Sequence, residues 1–183
     1  MMFKEGKVLE RLQKRGEEIV IRFPKRSDVM MMLGYINALV DERAKIMMNR
    51  RPSLAEEREY LMDCISRCRR GRNVHIVAEC GRKIIANMQL RGGEGVEHRC
   101  GEFSMGVASA HRKQGIASRM FALLECHAKE GGFDTIMSSY YSNNAPSRNF
   151  HKRFGFKIAG EIPDSIDYYG RRMGKTIVYK VLR

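Results

Sequence analysis

The chain alternates between stretches of two-residue and helical hydrophobic spacing. Residues 19–23, Ile-Val-Ile-Arg-Phe, form an apolar run stopped by Pro24, which predicts a first strand. From 27 to 42, Val29, Met32, Leu33, Ile36, Leu39 and Val40 recur at helical spacing, so a helix with one apolar face is expected. Ser53-Leu54-Ala55-Glu56 is a capping-box pattern, in which the serine oxygen and the glutamate each satisfy an amide that the first turn leaves unpaired. A second helix should start there and run to residue 70, burying Leu54, Leu61, Ile65 and Cys68.

Beyond Asn73 the period shortens. Residues 74–78 and 84–88 flank Cys80-Gly81-Arg82-Lys83, a hairpin signal, and Gly92-Gly93-Glu94-Gly95 leads into a strand over 99–108. A long amphipathic helix is predicted over 115–130, from Ile116, Met120, Leu123, Leu124 and His127, with Gly131-Gly132 as a left-handed cap. Residues 135–140 read as a strand, 144–154 as a short helix closed by Gly155, and 156–162 and 176–182 as two last strands. This order predicts a mixed α/β sheet in one domain over 18–183, without internal repeats. Residues 1–17 carry Lys4, Lys7, Arg11, Lys14 and Arg15 but only Val8, Leu9 and Leu12 to bury, and predict a basic N-terminal arm or short surface helix.

The stretch richest in chemistry is Val107-Ala108-Ser109-Ala110-His111-Arg112-Lys113-Gln114-Gly115-Ile116-Ala117-Ser118. A strand ends, a short basic loop turns, and a helix opens on a glycine. Amides at a helix start lack partners within the helix and, with the helix dipole, make a seat for a diphosphate. Small residues let the phosphates approach the backbone, and Arg112, Lys113 and Arg119 add charge around it. Read without that ligand, the same stretch is a strand-to-helix connection with solvated cations.

The pattern R-x-x-G-x-A over Arg112 to Ala117 resembles the acetyl-CoA signature Q/R-x-x-G-x-G/A of the GNAT N-acetyltransferase superfamily. Downstream, Asn144, Ser147, Phe150, His151, Gly155 and Phe156 resemble that superfamily's N-x-x-A-x-x-L-Y-x-x-x-G-F segment. The resemblance extends to element order. It implies a GNAT-like mixed, mostly antiparallel sheet with helices on both faces and a splayed strand pair holding acetyl-CoA. It further implies that the backbone of Met105, Gly106 and Val107 bonds the pantetheine arm, and that an amide there polarises the thioester carbonyl. The amides of Lys113, Gln114, Gly115, Ile116, Ala117 and Ser118 would hold the pyrophosphate. Asn144 would contact the arm, cap its helix, or do both.

The superfamily often has a tyrosine at the position of His151, where it returns a proton to the coenzyme thiolate; the resemblance gives His151 that role, with Tyr140 and Tyr141 as substitute donors. Packing against Phe150 is the alternative for His151. A base must deprotonate the amine, and an acid on the strand before the signature serves in some relatives. Glu102 fits that position, with Glu79 second. Ribosomal-protein acetyltransferases of the superfamily carry a glutamate where this chain has Ser139. The implied activity is acetyl-CoA-dependent N-acetylation of a primary amine in a ternary complex, by preference a protein N-terminus or lysine. The alternatives are a small-molecule amine, a polyamine, or a noncatalytic basic module that binds coenzyme A or nucleic acid.

Composition narrows the partners. Thirty-four Lys and Arg against twenty-one Asp and Glu leave a net charge of +13, which attracts polyanions and so suits a phosphorylated cofactor. There is no aromatic stacking platform or recognised nucleic-acid motif, so specific nucleic-acid binding is not expected. The five cysteines are scattered, and Cys64 and Cys68 have no second pair at finger-like spacing; free thiols and no metal are expected. No apolar run is long enough to span a membrane, which points to a cytoplasmic protein. A homodimer remains compatible with all of this.

Overall fold

A computed structural model describes residues 3–182. Met1, Met2 and Arg183, which belong to the expected 1–17 and 18–183 segments, lie outside them. One eight-stranded sheet runs in the order β1-β2-β3-β4-β5-β6-β8-β7. Its strands are β1 (Val8–Lys14), β2 (Glu17–Arg22), β3 (Asn73–Cys80), β4 (Lys83–Gly92), β5 (Cys100–Val107), β6 (Thr135–Tyr141), β7 (Lys157–Tyr168) and β8 (Arg171–Val181). Helices α1 (Val29–Asp41) and α2 (Leu54–Arg69) cover one face, and α3 (Ile116–Glu130) and α4 (Ala145–Arg153) the other. Every neighbouring pair is antiparallel except β5 and β6.

Residues 8–14 correct the expectation of an arm or short helix: they form an edge strand. Arg15 and Gly16 both have positive φ, the geometry of a tight hairpin turn, and pair Lys14 with Glu17. Leu9 and Leu12 pack against the core, while Arg11 pairs with Glu18 at 2.9 Å on the outside. The last hairpin is also longer than its apolar residues suggest, because Tyr169 and Gly170 turn the chain in the same way and pair Tyr168 with Arg171.

The main core lies between the sheet and α3, with Phe121 and Met120 of α3 fully buried and Phe121 set edge-on to Phe103 of β5. On the other face, Met32, Tyr35 and Leu39 of α1 pack on Val77 and Ile84. The predicted capping box opens α2: Glu56 N donates to Ser53 Oγ at 3.2 Å, and Ser53 N to Glu56 Oε2 at 2.7 Å. Between β2 and α1, the buried Arg22 guanidinium grips Asp28 through two bonds of 2.7 and 2.9 Å and also reaches Glu79 at 2.8 Å.

One feature of the sheet positions the site. Parallel pairing of β5 with β6 runs from Cys100 opposite Thr135 to Phe103 opposite Ser138 and stops. Beyond it β5 stays with β4 as far as Val107, and β6 stays with β8 as far as Tyr141, so the two strands part into a fork.

Candidate functional site

Strand register decides which backbone groups face the fork. Ala108 N donates to Ile85 O at 2.8 Å. Alternation back along the antiparallel ladder turns the main chains of Gly106 and Ser104 towards β4, and those of Met105 and Val107 towards the gap. Gly106 therefore stands apart from its two neighbours. Its role in packing is clear: an added Cβ would come within 2.5 Å of the Tyr35 hydroxyl and 3.1 Å of Leu39.

The basic loop lies at the end of β5. Lys113 and Gly115 both adopt positive φ, and Gly115 caps α3. The amides of Ile116, Ala117 and Ser118 in the first turn have no acceptor four residues back within the helix. Gln114 folds its side chain onto Ala110 O at 3.0 Å. Arg112 donates from Nε to Val107 O and pairs with Glu42, and Arg119 pairs with Glu10 at 2.6 Å. Lys113 has no ion-pair partner among the described residues.

Helix α4 borders the fork from the core face. Asn144 Oδ1 accepts from Ser147 N at 3.3 Å, which caps the helix and leaves its side-chain nitrogen without a partner among the described residues. His151 is buried, with Nδ1 at 2.8 Å from Ser147 O and Nε2 at 3.1 Å from Ser138 Oγ. Its ring stacks on Tyr140 at a centroid distance of 5.1 Å. Burial holds the imidazole below its usual pKa.

The other sequence candidates sit on the opposite face of the sheet. Glu102 is exposed, lies in register with Arg91 and Met137 one residue before the fork opens, and has no ion-pair partner among the described residues. Alternation along β5 and β6 places Glu102, Ser104, Ser139 and Tyr141 on this α1-side face, away from His151. Glu79 is committed to Arg22. Tyr141 donates to Ile46 O at 2.8 Å, and burial raises its pKa, so its hydroxyl keeps its proton at neutral pH.

Beside Tyr141, the last turn of α1 and the segment after it are tied to the β7–β8 hairpin. Tyr168 donates to Arg43 O, Tyr169 to Val40 O, and the Arg43 guanidinium lies 5.0 Å from the centre of the Tyr169 ring. Lys45 Nζ donates to Asn143 O and Oδ1, each at 3.0 Å. Sequence reasoning missed Tyr35, Ser138, Tyr168 and Tyr169. The aromatic pair Tyr168-Tyr169 before Gly170 was the available signal for the last two. Among the described residues no group of three or more His, Cys, Asp or Glu side chains could hold a metal ion, and no helix is long and apolar enough to cross a membrane.

Residues 36–156 match the Acetyltransferase (GNAT) family. An L-methionine sulfoximine/L-methionine sulfone acetyltransferase of Pseudomonas paraeruginosa is 29% identical over 77 residues, a match that spans 42% of this chain and only 45% of that protein. Among solved structures, a ribosomal-protein-alanine N-acetyltransferase from Brucella melitensis superposes with a TM-score of 0.78 at 23% identity, over 88% of this chain and 98% of that one. A phosphinothricin acetyltransferase from Sinorhizobium meliloti, solved with acetyl-CoA, gives 0.79 at 16% identity, over 89% and 88%. With the family match spanning two thirds of the chain, including strands β3 to β6, the fork and the loop at Gly115, the chain belongs to the GNAT acetyltransferase family.

Proposed function

We propose that this protein is an acetyl-CoA-dependent N-acetyltransferase whose acceptor is a small primary amine bearing an anionic group. The observation that carries this reading is the fork. Where β6 departs, the main-chain groups of Met105 and Val107 lose a strand partner and face a gap that leads to the loop at Gly115. An extended arm with amides, ending in phosphates, fits that path.

When bound, acetyl-CoA supplies an acetyl thioester. Met105 and Val107 would pair with the pantetheine amides, Asn144 would donate its free side-chain nitrogen, and the amides at the start of α3 would hold the pyrophosphate. A main-chain amide in the fork would donate to the acyl oxygen as negative charge develops there. An attacking amine must first lose a proton, since an α-amino group has a pKa of about 7.7–8 and a lysine about 10.4. Glu102 takes that proton, directly or through a water, on the acceptor face. The amine nitrogen would then bond to the acyl carbon as the carbon–sulfur bond breaks, and the second nitrogen proton would pass through solvent to the departing thiolate, leaving a neutral amide and coenzyme A as its thiol. Both ring nitrogens of His151 are engaged within the fold, so proton return to sulfur is not assigned to it.

Two features favour a small acceptor over the protein N-terminus or lysine preferred from sequence. The ties from Tyr168, Tyr169 and Tyr141 to the end of α1 and the segment after it close that side against a peptide running through. Arg43 and Lys45 lack carboxylate partners among the described residues, whereas Arg50, Arg51 and Arg112 have them. The names of the methionine sulfoximine and phosphinothricin enzymes support the same direction, and that of the ribosomal-protein-alanine enzyme the other, so the charges and the tyrosine ties carry the choice. A nucleic-acid role draws less support, because Arg67 and Arg69 are paired with Glu94 and Glu5.

The test is coenzyme release from acetyl-CoA across free amino acids and their acidic analogues, polyamines, and peptides with free N-termini or lysines. The highest kcat/KM is expected with an anionic small amine. Preference for a peptide would overturn the acceptor assignment, and coenzyme binding without turnover of any amine would overturn catalysis.

A further inference from the structure

Where β5 and β6 part, three groups form a chain through the core. Ser138 Oγ, on the last paired residue of β6, lies 3.0 Å from Phe103 O, on the last paired residue of β5. His151 Nε2 lies 3.1 Å from the same hydroxyl, and His151 Nδ1 is 2.8 Å from Ser147 O on α4. A carbonyl only accepts, so Nδ1 carries the proton. In the neutral ring Nε2 is then a bare acceptor, and the single Ser138 hydroxyl proton is shared between it and Phe103 O in a three-centre bond.

Apart from Ser147 Oγ, 3.4 Å from Nδ1, the ring's surroundings are aromatic. Phe103 of β5, Tyr140 of β6, Phe150 of α4 and Phe156 surround it, and Tyr140, whose pKa burial raises, is the only titratable group among them. No charged side chain among the described residues bonds to the imidazole. Arg148 and Glu161 act on the Tyr140 phenol instead.

We propose that Ser138 and His151 are positioning residues that fix where the fork opens, and thereby set the Met105 and Val107 main chain and the α4 end bearing Asn144 at one spacing. The inference rests on the reading that the fork holds acetyl-CoA, but its geometric half stands without it. The imidazole links α4 to β6, and the hydroxyl links β6 to the final rung of β5. Without the link, the hinge loses its polar ties on a buried surface where an unpaired group has no water to turn to.

Two measurements test this. In the protein without ligand, nitrogen-15 NMR of His151 should show the Nδ1–H tautomer, and Ser138→Ala should move its Nε2 resonance. An Nε2–H tautomer, or no response to Ser138→Ala, would overturn the proposal whatever the protein's activity. By calorimetry with coenzyme A, Ser138→Ala and His151→Leu should each weaken binding roughly tenfold, one lost buried hydrogen bond. The double variant should lose little more, because both changes break one chain. His151→Gln, which keeps an acceptor for Ser138, should bind nearly as wild type. Additive losses, or unchanged affinity with lowered turnover, would overturn the positioning role. If the wild type binds no coenzyme A, the proposed function fails, and the NMR result still decides the geometry.

Discussion

Arg112 donates from Nε to the carbonyl oxygen of Val107, five residues earlier, at 2.9 Å. The same side chain pairs with Glu42 beyond the end of α1, so the first cation of the signature braces the tip of β5 against the end of α1. Arg112→Ala should weaken coenzyme A binding by about tenfold, the scale of one charge-assisted bond, with little change in Tm because the ion pair is partly exposed. Glu42→Gln leaves the bond to Val107 and should retain most of the affinity. Calorimetry on the two variants separates the brace from the ion pair.

At the helix start, Gly115 has a φ of 81°, and a Cβ placed there would meet nothing within 4 Å. The demand is therefore conformational: an L-residue pays about 1–2 kcal/mol in this region. Gly115→Ala should lower stability by that amount and weaken coenzyme A binding. Gly115→Asn should lose less, since asparagine tolerates the left-handed region. Urea unfolding gives the first quantity and calorimetry the second. Equal stability of all three proteins would show that the loop does not hold this conformation.

Glu102 should matter to chemistry and not to cofactor binding, because its side chain points to the face away from α3 and α4. Glu102→Gln is expected to reduce kcat by about 10²–10⁴, the usual range for a lost general base, with the acetyl-CoA dissociation constant unchanged. Activity within a few-fold of wild type would pass the role to another group.

How much of this was legible in the sequence depended on how local each signal is. The capping box at Ser53 and the glycine opening α3 are read within a few residues, and both stand as expected. Strand β1 was hidden because Leu9 and Leu12 are nearly its only core-facing side chains, and its existence rests on the Arg15-Gly16 turn and on pairing with β2. Likewise Asp164, Ser165, Asp167, Arg171 and Arg172 show no buried face, so the outer half of the last hairpin carries no alternation to detect. The fork came from family resemblance, since hydrophobic spacing does not say where two strands stop pairing. The Ser138–His151 contact and the tyrosine ties to the segment after α1 join residues brought together only by packing of distant elements.

A last prediction concerns pH and a residue away from the fork. Glu57, in the first turn of α2, is buried with 5% of its surface exposed, and desolvation pushes its carboxyl up to about 7. In the unfolded chain a glutamate titrates at about 4.3. Raised in the fold, this group contributes its full stability below the unfolded value and loses it as pH climbs to about 7. The span amounts to on the order of 3 kcal/mol. Glu57→Gln replaces the protonated acid with a neutral group of similar shape. It should therefore leave stability nearly unchanged at pH 4 and raise it by roughly 2–3 kcal/mol at pH 8, where the wild type must either hold a proton against solution or bury a charge. Urea unfolding of both proteins at the two pH values measures the difference directly. A stability change that is the same at both would mean that the carboxyl reaches water in the folded protein.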